Sequence, residues 1–321
     1  MESVTWPVLL APGAGPSRVG SRSELFVKSK SPLQGHGTLN INTITSIKRP
    51  SSSEEIHQWR AGDAWLAGGT WLFSEPQVNL HTLIDLVGLG WPALTPTPQG
   101  LDIAATCSIA DLYAFRGDAS WTAVPLIGAC CECLLASFKI WNAATAGGNI
   151  CMSLPAGAIT SLTVALEGRL TLLARNGGSR EVSAVDFVVD NNRNILEPGE
   201  LLRSIHLPAS SLKKRFALRR ATLTHLGRSA ALLVGTQAHR GGEMVLTVTA
   251  ATRRPVQIRM PEGVSAAALR HALDHAIPAD GWFDDVNGTP AYKRHMTYHY
   301  AEEIRAELAA QPLQAQSGAL A

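Results

Sequence analysis

Two short glycine-containing segments are the parts of this sequence whose residue types and spacing best suit chemistry. The first, residues 66–72, reads Leu-Ala-Gly-Gly-Thr-Trp-Leu, and the second, residues 145–149, reads Thr-Ala-Gly-Gly-Asn. Glycine adopts positive φ angles and has no Cβ, so the backbone can turn tightly and a ligand can approach it closely. Successive backbone N–H groups in such a turn form a concave site for an anion such as a pyrophosphate. We call these segments the first and second glycine loops.

Each glycine loop taken alone is more typical of an ordinary tight turn than of a ligand site. Neither contains the Gly-x-Gly-x-x-Gly spacing of dinucleotide-binding folds, and neither contains the Gly-Lys-Ser/Thr of nucleoside triphosphate loops. Thr70, Thr145 and Asn149 add hydrogen-bonding side chains without adding charge. From the residues alone, the pair predicts a nucleotide diphosphate site and nothing more specific.

The elements that position the first loop begin near residue 44. Residues 51–53 predict a helix cap that is followed by two glutamates, and residues 64–67 predict a short buried strand that runs into the loop. Another apolar run at residues 82–86 predicts a second strand. These elements together predict a small β-α-β unit.

The second loop is preceded by a strand and two helices. Residues 101–106 predict the strand, and Ser108 with Asp111 predicts the cap of the helix that follows it. The flanks of Cys130, Cys131 and Cys133 predict a single buried helix over residues 124–136. The second loop comes directly after this helical region.

The rest of the chain alternates strands and turns and ends in a helix. Hairpins are predicted over 169–187, around Asn-Gly-Gly at 176–178, and over 230–249. Residues 215–220 have strand character. Met296, Tyr300, Ile304 and Leu308 recur every four residues and predict one apolar helix stripe. Residues 1–40 show no periodicity and predict a loose extension, and residues 312–321 predict a flexible tail.

Composition and charge exclude several classes of protein. The 321 residues are 45% hydrophobic and 17% charged, which excludes a disordered chain. Lys plus Arg is 28 and Asp plus Glu is 26, so the net charge of +2 predicts no nucleic-acid partner. No apolar run has the length of a membrane span, and the first residues lack the pattern of a signal peptide. We expect a cytoplasmic location, with export alongside a partner left open.

The cysteines favour burial over metal or redox chemistry. There are five, an odd number concentrated in the middle third, which does not resemble a secreted disulfide framework. Their apolar flanks predict buried, reduced thiols and no metal site. His271 and His275 are spaced as a helical pair, but a surface helix is the expected interpretation. No arrangement of catalytic side chains is visible, so no catalytic residue is assigned.

Several further motifs occur in a fixed order around the two loops. They are Ile47-Lys48-Arg49-Pro50, Leu83-Ile84-Asp85-Leu86, Asp186-Phe187, Pro198-Gly199-Glu200-Leu201-Leu202, Ile205-x-Leu207-Pro208, Arg254-Pro255 and Tyr292-Lys293-Arg294. With the glycine loops, this order resembles the FAD-binding (medium) subunit of molybdenum hydroxylases, such as bacterial carbon monoxide, xanthine and aldehyde dehydrogenases. The resemblance extends from about residue 44 to residue 308 and omits the first part of the chain.

The resemblance implies an α+β fold of the vanillyl-alcohol-oxidase (PCMH) type. It implies an FAD-binding domain over residues 41–208, with subdomains 41–99 and 100–208, and a C-terminal domain of antiparallel sheet and helices over 209–311. It also implies a set of residues that bind FAD. These are Leu66, Ala67, Gly68, Gly69, Thr70, Trp71, Leu72, Leu135, Thr145, Ala146, Gly147, Gly148, Asn149, Leu202 and Arg219.

Three positions depart from the pattern of the family. Ala158 stands where the family commonly has an Asp that contacts a ribose hydroxyl, and Trp141 stands where it often has Arg. Arg219 lies where the family usually has a Lys near the flavin ring, and a cation there would stabilise negative charge on the reduced ring. A solvated surface charge is the alternative for Arg219. The first two departures predict weaker FAD binding.

The function that the resemblance implies is electron transfer within a complex. FAD on this chain would take electrons from 2Fe–2S clusters on a small iron–sulfur subunit and pass them to an external acceptor, while a large subunit carries the molybdopterin. A dimer of such heterotrimers is compatible with this assignment. Two alternatives stay open, namely a scaffold subunit with a degraded flavin site and a stand-alone flavin oxidase.

Overall fold

The computed structural model describes residues 42–310 and contains three main sheets. The expected loose extension at 1–40 and the expected tail at 312–321 lie outside these residues. The strands are β1 (Ser46–Lys48), β2 (Asp63–Leu66), β3 (Thr82–Asp85), β4 (Leu94–Thr97), β5 (Gly100–Ala104), β6 (Arg169–Leu173), β7 (Ser179–Ser183), β8 (Val188–Asp190), β9 (Arg193–Asn194), β10 (Leu201–Pro208), β11 (Arg215–Thr222), β12 (Ser229–Gln237), β13 (Met244–Thr249) and β14 (Val256–Met260). The α-helices are α1 (Ile109–Ala114), α2 (Val124–Cys133), α3 (Phe138–Ala143), α4 (Ala146–Cys151), α5 (Ala158–Ala165), α6 (Ala184–Phe187), α7 (Ala209–Leu212), α8 (Ala266–Ala276) and α9 (Pro290–Ala310).

The first sheet is the predicted small parallel unit, with strand order β1-β3-β2. Its helix differs from the prediction, because residues Ser53–Gln58 form a 3-10 helix whose N-cap, Ser52, makes no side-chain cap bond. The hydroxyl of Ser51 donates to Glu55 instead, over 2.9 Å. The parallel arrangement brings the carboxyl ends of all three strands to one edge of the sheet. The first glycine loop leaves β2 at that edge.

The second sheet is antiparallel, with strand order β4-β5-β10-β6-β7, and it shares the largest core with the helices around it. The predicted hairpin around residues 176–178 is confirmed as β6 and β7. Its second strand is shorter than predicted, because it ends at Ser183 and the chain turns into α6, which buries Phe187 completely.

The third sheet is antiparallel, with strand order β11-β12-β13-β14, and its predicted hairpin is confirmed as β12 and β13. Helices α8 and α9 share its core. The predicted stripe on α9 packs against this core, with Ile304 and Leu308 buried and Met296 and Tyr300 partly buried. The fully buried residues of the earlier turns are Lys293, Thr297 and Ala301. The burial of the Lys293 side chain is tolerated because its ammonium group forms an ion pair with Asp285, at a distance of 2.8 Å.

The cysteines are free thiols, as predicted, and all but the partly buried Cys151 are buried. Burial raises the pKa of Cys107 and of Cys131 to about 12, so both groups are protonated at neutral pH. The helix that carries three of them is shorter than predicted, because α2 ends at Cys133 and Leu134 has extended backbone. In the part of the chain that the structure covers, no helix is long and apolar enough to cross a membrane.

Candidate FAD site

The two glycine loops lie against each other. A Cβ added to Gly68 would sit only 1.8 Å from the carbonyl oxygen of Ala143, the last residue of α3. Ala144 is the only residue between Ala143 and the second loop. A side chain at residue 68 would therefore push the loops apart, so glycine is required for their contact.

The first loop leaves a row of backbone donors free. Among residues 42–310, no hydrogen bond uses the N–H groups of Gly68, Gly69, Thr70, Trp71 and Leu72. The carbonyl groups of this loop are used, since Phe73 N donates to Gly69 O over 2.9 Å. Gly69 has a φ of +67°, in the left-handed region that glycine permits. The loop therefore has the free N–H groups that an anion site needs.

The second loop differs, because its N–H groups already have acceptors. Ala146 N donates to Cys107 O over 2.8 Å, and Gly147 N donates to Ala105 O over 3.0 Å. Gly148 N donates to the hydroxyl oxygen of Thr145, the N-cap of α4. The predicted row of free donors is thus wrong for this loop, because the N-cap Thr145 and the segment that follows strand β5 accept from its N–H groups.

The side chains of the second loop are held in place by the surrounding backbone. The Asn149 carboxamide oxygen accepts from Ile159 N over 3.0 Å, which ties α4 to the start of α5. A Cβ on Gly147 would lie 2.7 Å from the backbone oxygen of Ala105, whereas a Cβ on Gly148 would meet only the Thr145 hydroxyl. Gly148 is therefore the residue of this loop where an incoming group can approach the backbone.

The remaining predicted contacts lie on different elements. Leu135 follows α2 and is 37% exposed, so an apolar surface is open there. Leu202 is buried in β10 near the start of that strand. The preceding carbonyl of Glu200 accepts from the indole N–H of Trp65 over 2.9 Å, and this bond connects β10 to the strand that carries the first loop.

Arg219 does not provide a free positive charge. Its guanidinium group forms ion pairs of 2.6 Å with Glu303 and 2.7 Å with Glu307, both on α9. The hydrogen bonds that Arg219 donates to Glu303 and Glu307 raise the pKa of its guanidinium group above its usual value. The predicted location of Arg219 near the flavin ring stays a prediction. Its charge is paired with two glutamates, so it is not a solvated surface charge.

A cation that the sequence did not reveal lies beside the first loop. Arg228, in the turn between β11 and β12, has its guanidinium carbon 5.9 Å from the centroid of the Trp71 ring. Two basic residues just before and at the start of β11, in contrast, contact other protein groups. Lys214 pairs with Glu167, and Arg215 donates to Gln237.

The two departures at Ala158 and Trp141 have structural roles here. Ala158 is fully buried in a small cluster with Cys133 and Leu232. Trp141 packs edge-on against Tyr113, with ring centroids 4.9 Å apart, and its indole N–H donates to Leu134 O over 3.2 Å. Both positions therefore contribute to packing rather than to charge.

Comparisons with known proteins show the family of the chain. A family model described as the FAD binding domain in molybdopterin dehydrogenase matches residues 42–210. This match covers more than half of the chain, and the chain belongs to this family. The predicted resemblance and FAD as the cofactor are thereby confirmed. No curated protein matches the chain by sequence.

Solved structures confirm the predicted fold. Quinoline 2-oxidoreductase from Pseudomonas putida 86 aligns with a TM-score of 0.70 and 17% identity over 84% of this chain and 98% of that chain. Carbon monoxide dehydrogenase from Hydrogenophaga pseudoflava aligns with a TM-score of 0.66 and 21% identity over 81% and 96% of the two chains. Reconstituted CO dehydrogenase from Oligotropha carboxidovorans gives a TM-score of 0.68 and 20% identity over 83% and 98%. The chain has the PCMH-type α+β fold, and its family is one of oxidoreductases.

The residues around the two loops fit FAD. The free N–H groups of the first loop suit a diphosphate, and the absence of a side chain at Gly148 leaves its backbone approachable. The exposed apolar surface at Leu135 suits a flavin ring. The candidate site thus offers backbone donors and an exposed apolar side chain to a cofactor.

Proposed function

We propose that this chain is the FAD-binding electron-transfer subunit of a multi-subunit molybdenum hydroxylase. The observation that carries the proposal is the row of free N–H groups at residues 68–72, placed against the second glycine loop in a chain of this family. FAD, when bound, can accept electrons and pass them to an external acceptor. We assign FAD binding to residues 41–208 and a supporting α+β domain to 209–311.

The roles of the chain's own residues follow from their contacts. The backbone N–H groups of residues 68–72 hold the diphosphate, and Gly148 lets the second loop approach it. Leu135 packs on the ring system, and the backbone at Leu202 contacts the adenine end. The ion pairs of Arg219 with α9 give it a positioning role, since they fix β11 beside the site.

Partner chains are part of the proposal, because this chain offers no open thiolates for an iron–sulfur cluster. Its cysteines are largely buried, and burial raises their pKa values. A surface for a partner lies next to the second loop, where α3 has no buried residue and Phe138 is 73% exposed. We propose a small iron–sulfur subunit and a large molybdopterin subunit as partners in a cytoplasmic complex.

A scaffold subunit that holds no flavin is the second candidate. The internally bonded N–H groups of the second loop and the buried Ala158 favour it. A stand-alone flavin oxidase has no comparable support, since no acid–base side chain has been assigned to the site.

Native purification of the full chain with its associated proteins tests the proposal. We expect about one FAD per chain by visible absorbance, together with chains that contain iron, sulfide and molybdenum. Partners without FAD would establish the scaffold, and a flavin-containing protein without partners would establish the oxidase. Reduction of the bound flavin by the holoenzyme's substrate, measured by stopped-flow absorbance, separates electron transfer from simple FAD storage.

A further inference from the structure

Trp71 in the first glycine loop has an indole N–H group without an acceptor. Its Nε1 atom is buried and forms no hydrogen bond within the described part of the chain. The N–H groups of Trp65 and Trp141, in contrast, donate to backbone carbonyl groups at 2.9 and 3.2 Å. A buried donor without an acceptor is destabilising. The present position of the Trp71 ring is therefore unfavourable until an acceptor reaches it.

The donors around Trp71 indicate what kind of acceptor would satisfy it. The loop that carries it has five consecutive backbone N–H groups that are not used in any hydrogen bond of residues 42–310. An indole N–H beside them adds one more donor to the same small region. A cluster made only of donors selects an anion with several oxygen atoms.

Arg228 adds positive charge at the same place. Its guanidinium group lies over the Trp71 ring at 5.9 Å, the residue is exposed, and it forms no ion pair with any residue that the structure describes. Its neighbours on β11 differ, because Arg219 pairs with two glutamates and Arg220 donates to Ser229 and Gly227. The attraction between a cation and an aromatic face restricts the orientation of the ring.

We infer that Trp71 and Arg228 are cofactor-positioning residues that recognise the diphosphate of FAD. When the cofactor binds, the indole turns out of its buried position and donates to a diphosphate oxygen. Arg228, whose guanidinium group lies over the ring, adds positive charge to the same site. This inference rests on the proposed function and extends it to the indole N–H of Trp71 and to the side chain of Arg228.

Titrations of the full-length chain with FAD and with ADP test this inference. Trp71→Phe keeps the aromatic ring and removes the donor, and Arg228→Gln removes the charge from an exposed turn. Arg240→Gln is the matched control for charge, because Arg240 is also exposed and follows the opposite end of β12. Trp65→Phe is the control for the indole, because that N–H already has an acceptor.

We expect Trp71→Phe to weaken binding of both FAD and ADP by about tenfold. Arg228→Gln should weaken both severalfold, and Arg240→Gln should change neither. In calorimetry without cofactor, Trp71→Phe should keep or raise the unfolding midpoint, since it removes an unsatisfied donor, while Trp65→Phe should lower it.

Unchanged affinities in Trp71→Phe and Arg228→Gln, with wild type binding FAD, would overturn this inference and leave the proposed function intact. A midpoint of unliganded Trp71→Phe as low as that of Trp65→Phe would also overturn it, because the indole would then be structural. Failure of the wild-type chain to bind FAD would overturn both. Arg228→Gln gives an independent result if Trp71→Phe does not fold.

Discussion

The two glycine loops share a sequence pattern but differ in what their backbone does. In the first loop, the N–H groups of residues 68–72 are free, and a carbonyl accepts the bond that closes the turn. In the second loop, residues 146–149 donate to Cys107, Ala105, and the hydroxyl and carbonyl of Thr145. Two adjacent glycines therefore do not by themselves make an anion site. What decides is whether nearby carbonyl and hydroxyl groups, here those of Cys107, Ala105 and Thr145, already accept from these donors.

The glycines also differ in what they contact. Gly68 and Gly147 lie against backbone, at Ala143 and Ala105, so they allow close packing between chain segments. Gly148 has only the Thr145 hydroxyl within reach of a Cβ, so it leaves open space. The first loop thus supplies the N–H groups that can donate to a ligand. The second loop packs against the core and leaves the backbone accessible at Gly148.

The largest effect is expected for Gly68→Val, which tests the contact between the loops. A Cβ there would lie 1.8 Å from a carbonyl oxygen, and no side-chain rotation relieves that overlap. We expect loss of FAD and a decrease in the free energy of unfolding of about 3 kcal/mol or more. Urea denaturation and flavin absorbance measure both quantities.

Gly128→Ala in α2 is the control for Gly68→Val. The nearest atom to a Cβ at that position is in the Tyr113 ring at 3.7 Å, so the methyl group fits. We expect it to leave FAD content unchanged. Stoichiometric FAD in Gly68→Val with unaltered denaturation would show that the loops do not pack as described.

Two substitutions in the second loop test two roles separately: the packing of Gly147 against Ala105, and the open space in front of Gly148. Gly148→Phe should abolish flavin binding and leave the fold intact, because the ring fills the space in front of the loop. Gly147→Ala should mainly destabilise the protein, by roughly 1–3 kcal/mol, because its methyl group overlaps Ala105. Flavin absorbance and circular dichroism melting distinguish the two. Retention of one FAD per chain by Gly148→Phe would refute the placement of this loop at the cofactor.

Thr145→Val should have a smaller effect on stability. It removes the hydroxyl that accepts from Gly148 N over 3.0 Å, and loss of such a cap costs about 1 kcal/mol. Thr145→Ser should restore the stability, because it keeps the hydroxyl. Chemical denaturation of the FAD-free chain provides the measurement, and equal stability of the Val variant would show that the cap bond is not used.

The smallest expected effect is a loss of folding stability at low pH that depends on Glu200. Burial acts to raise the pKa of Glu200, but hydrogen bonds from Arg180 and the backbone outweigh it, so the pKa is lower than the ordinary 4.5. A carboxyl whose pKa is lowered in the folded state stabilises the protein above its unfolded pKa, and this stabilisation disappears as the pH falls through the folded value.

This loss of stability at low pH should affect the strand that carries the first loop and not the second loop. Glu200 holds Trp65 in β2 through its backbone, whereas the Thr145 cap of the second loop does not ionise. Wild type should therefore lose thermal stability below about pH 4.5, and Glu200→Gln should show a shallower loss over the same range. Parallel curves for the two proteins would exclude this ion pair as the cause.

Much of the fold was predictable because its signals are local. Apolar runs that flank Asn-Gly-Gly at 176–178 and Arg-Gly-Gly at 240–242 predicted the two hairpins. Ser108 with Asp111 predicted the cap of α1, in which the Ser108 hydroxyl accepts from Asp111 N. The register of buried residues on α9 was less predictable, because an ion pair with Asp285 lets Lys293 occupy a core position. That pairing depends on residues that come together only in the folded chain.

In the candidate site, too, local features were predictable from the sequence and long-range contacts were not. The loop motifs predicted where a cofactor would bind, since glycine content is visible in the sequence. The pairing of Arg219 with α9 was not visible, because Glu303 and Glu307 lie more than 80 residues away along the chain. Arg228 gave no sequence signal, because its importance comes from its distance to Trp71.

The sequence by itself determined the family, the two main hairpins and the positions of both glycine loops along the chain. These features depend on residue type and local spacing. Only the tertiary structure decided which loop keeps its N–H groups free, that Arg228 lies over the Trp71 ring, and that the buried Trp71 indole N–H has no acceptor among residues 42–310. The reason is physical. Whether a polar group is available to a ligand depends on every other group within hydrogen-bonding distance, and most of those groups are distant in sequence.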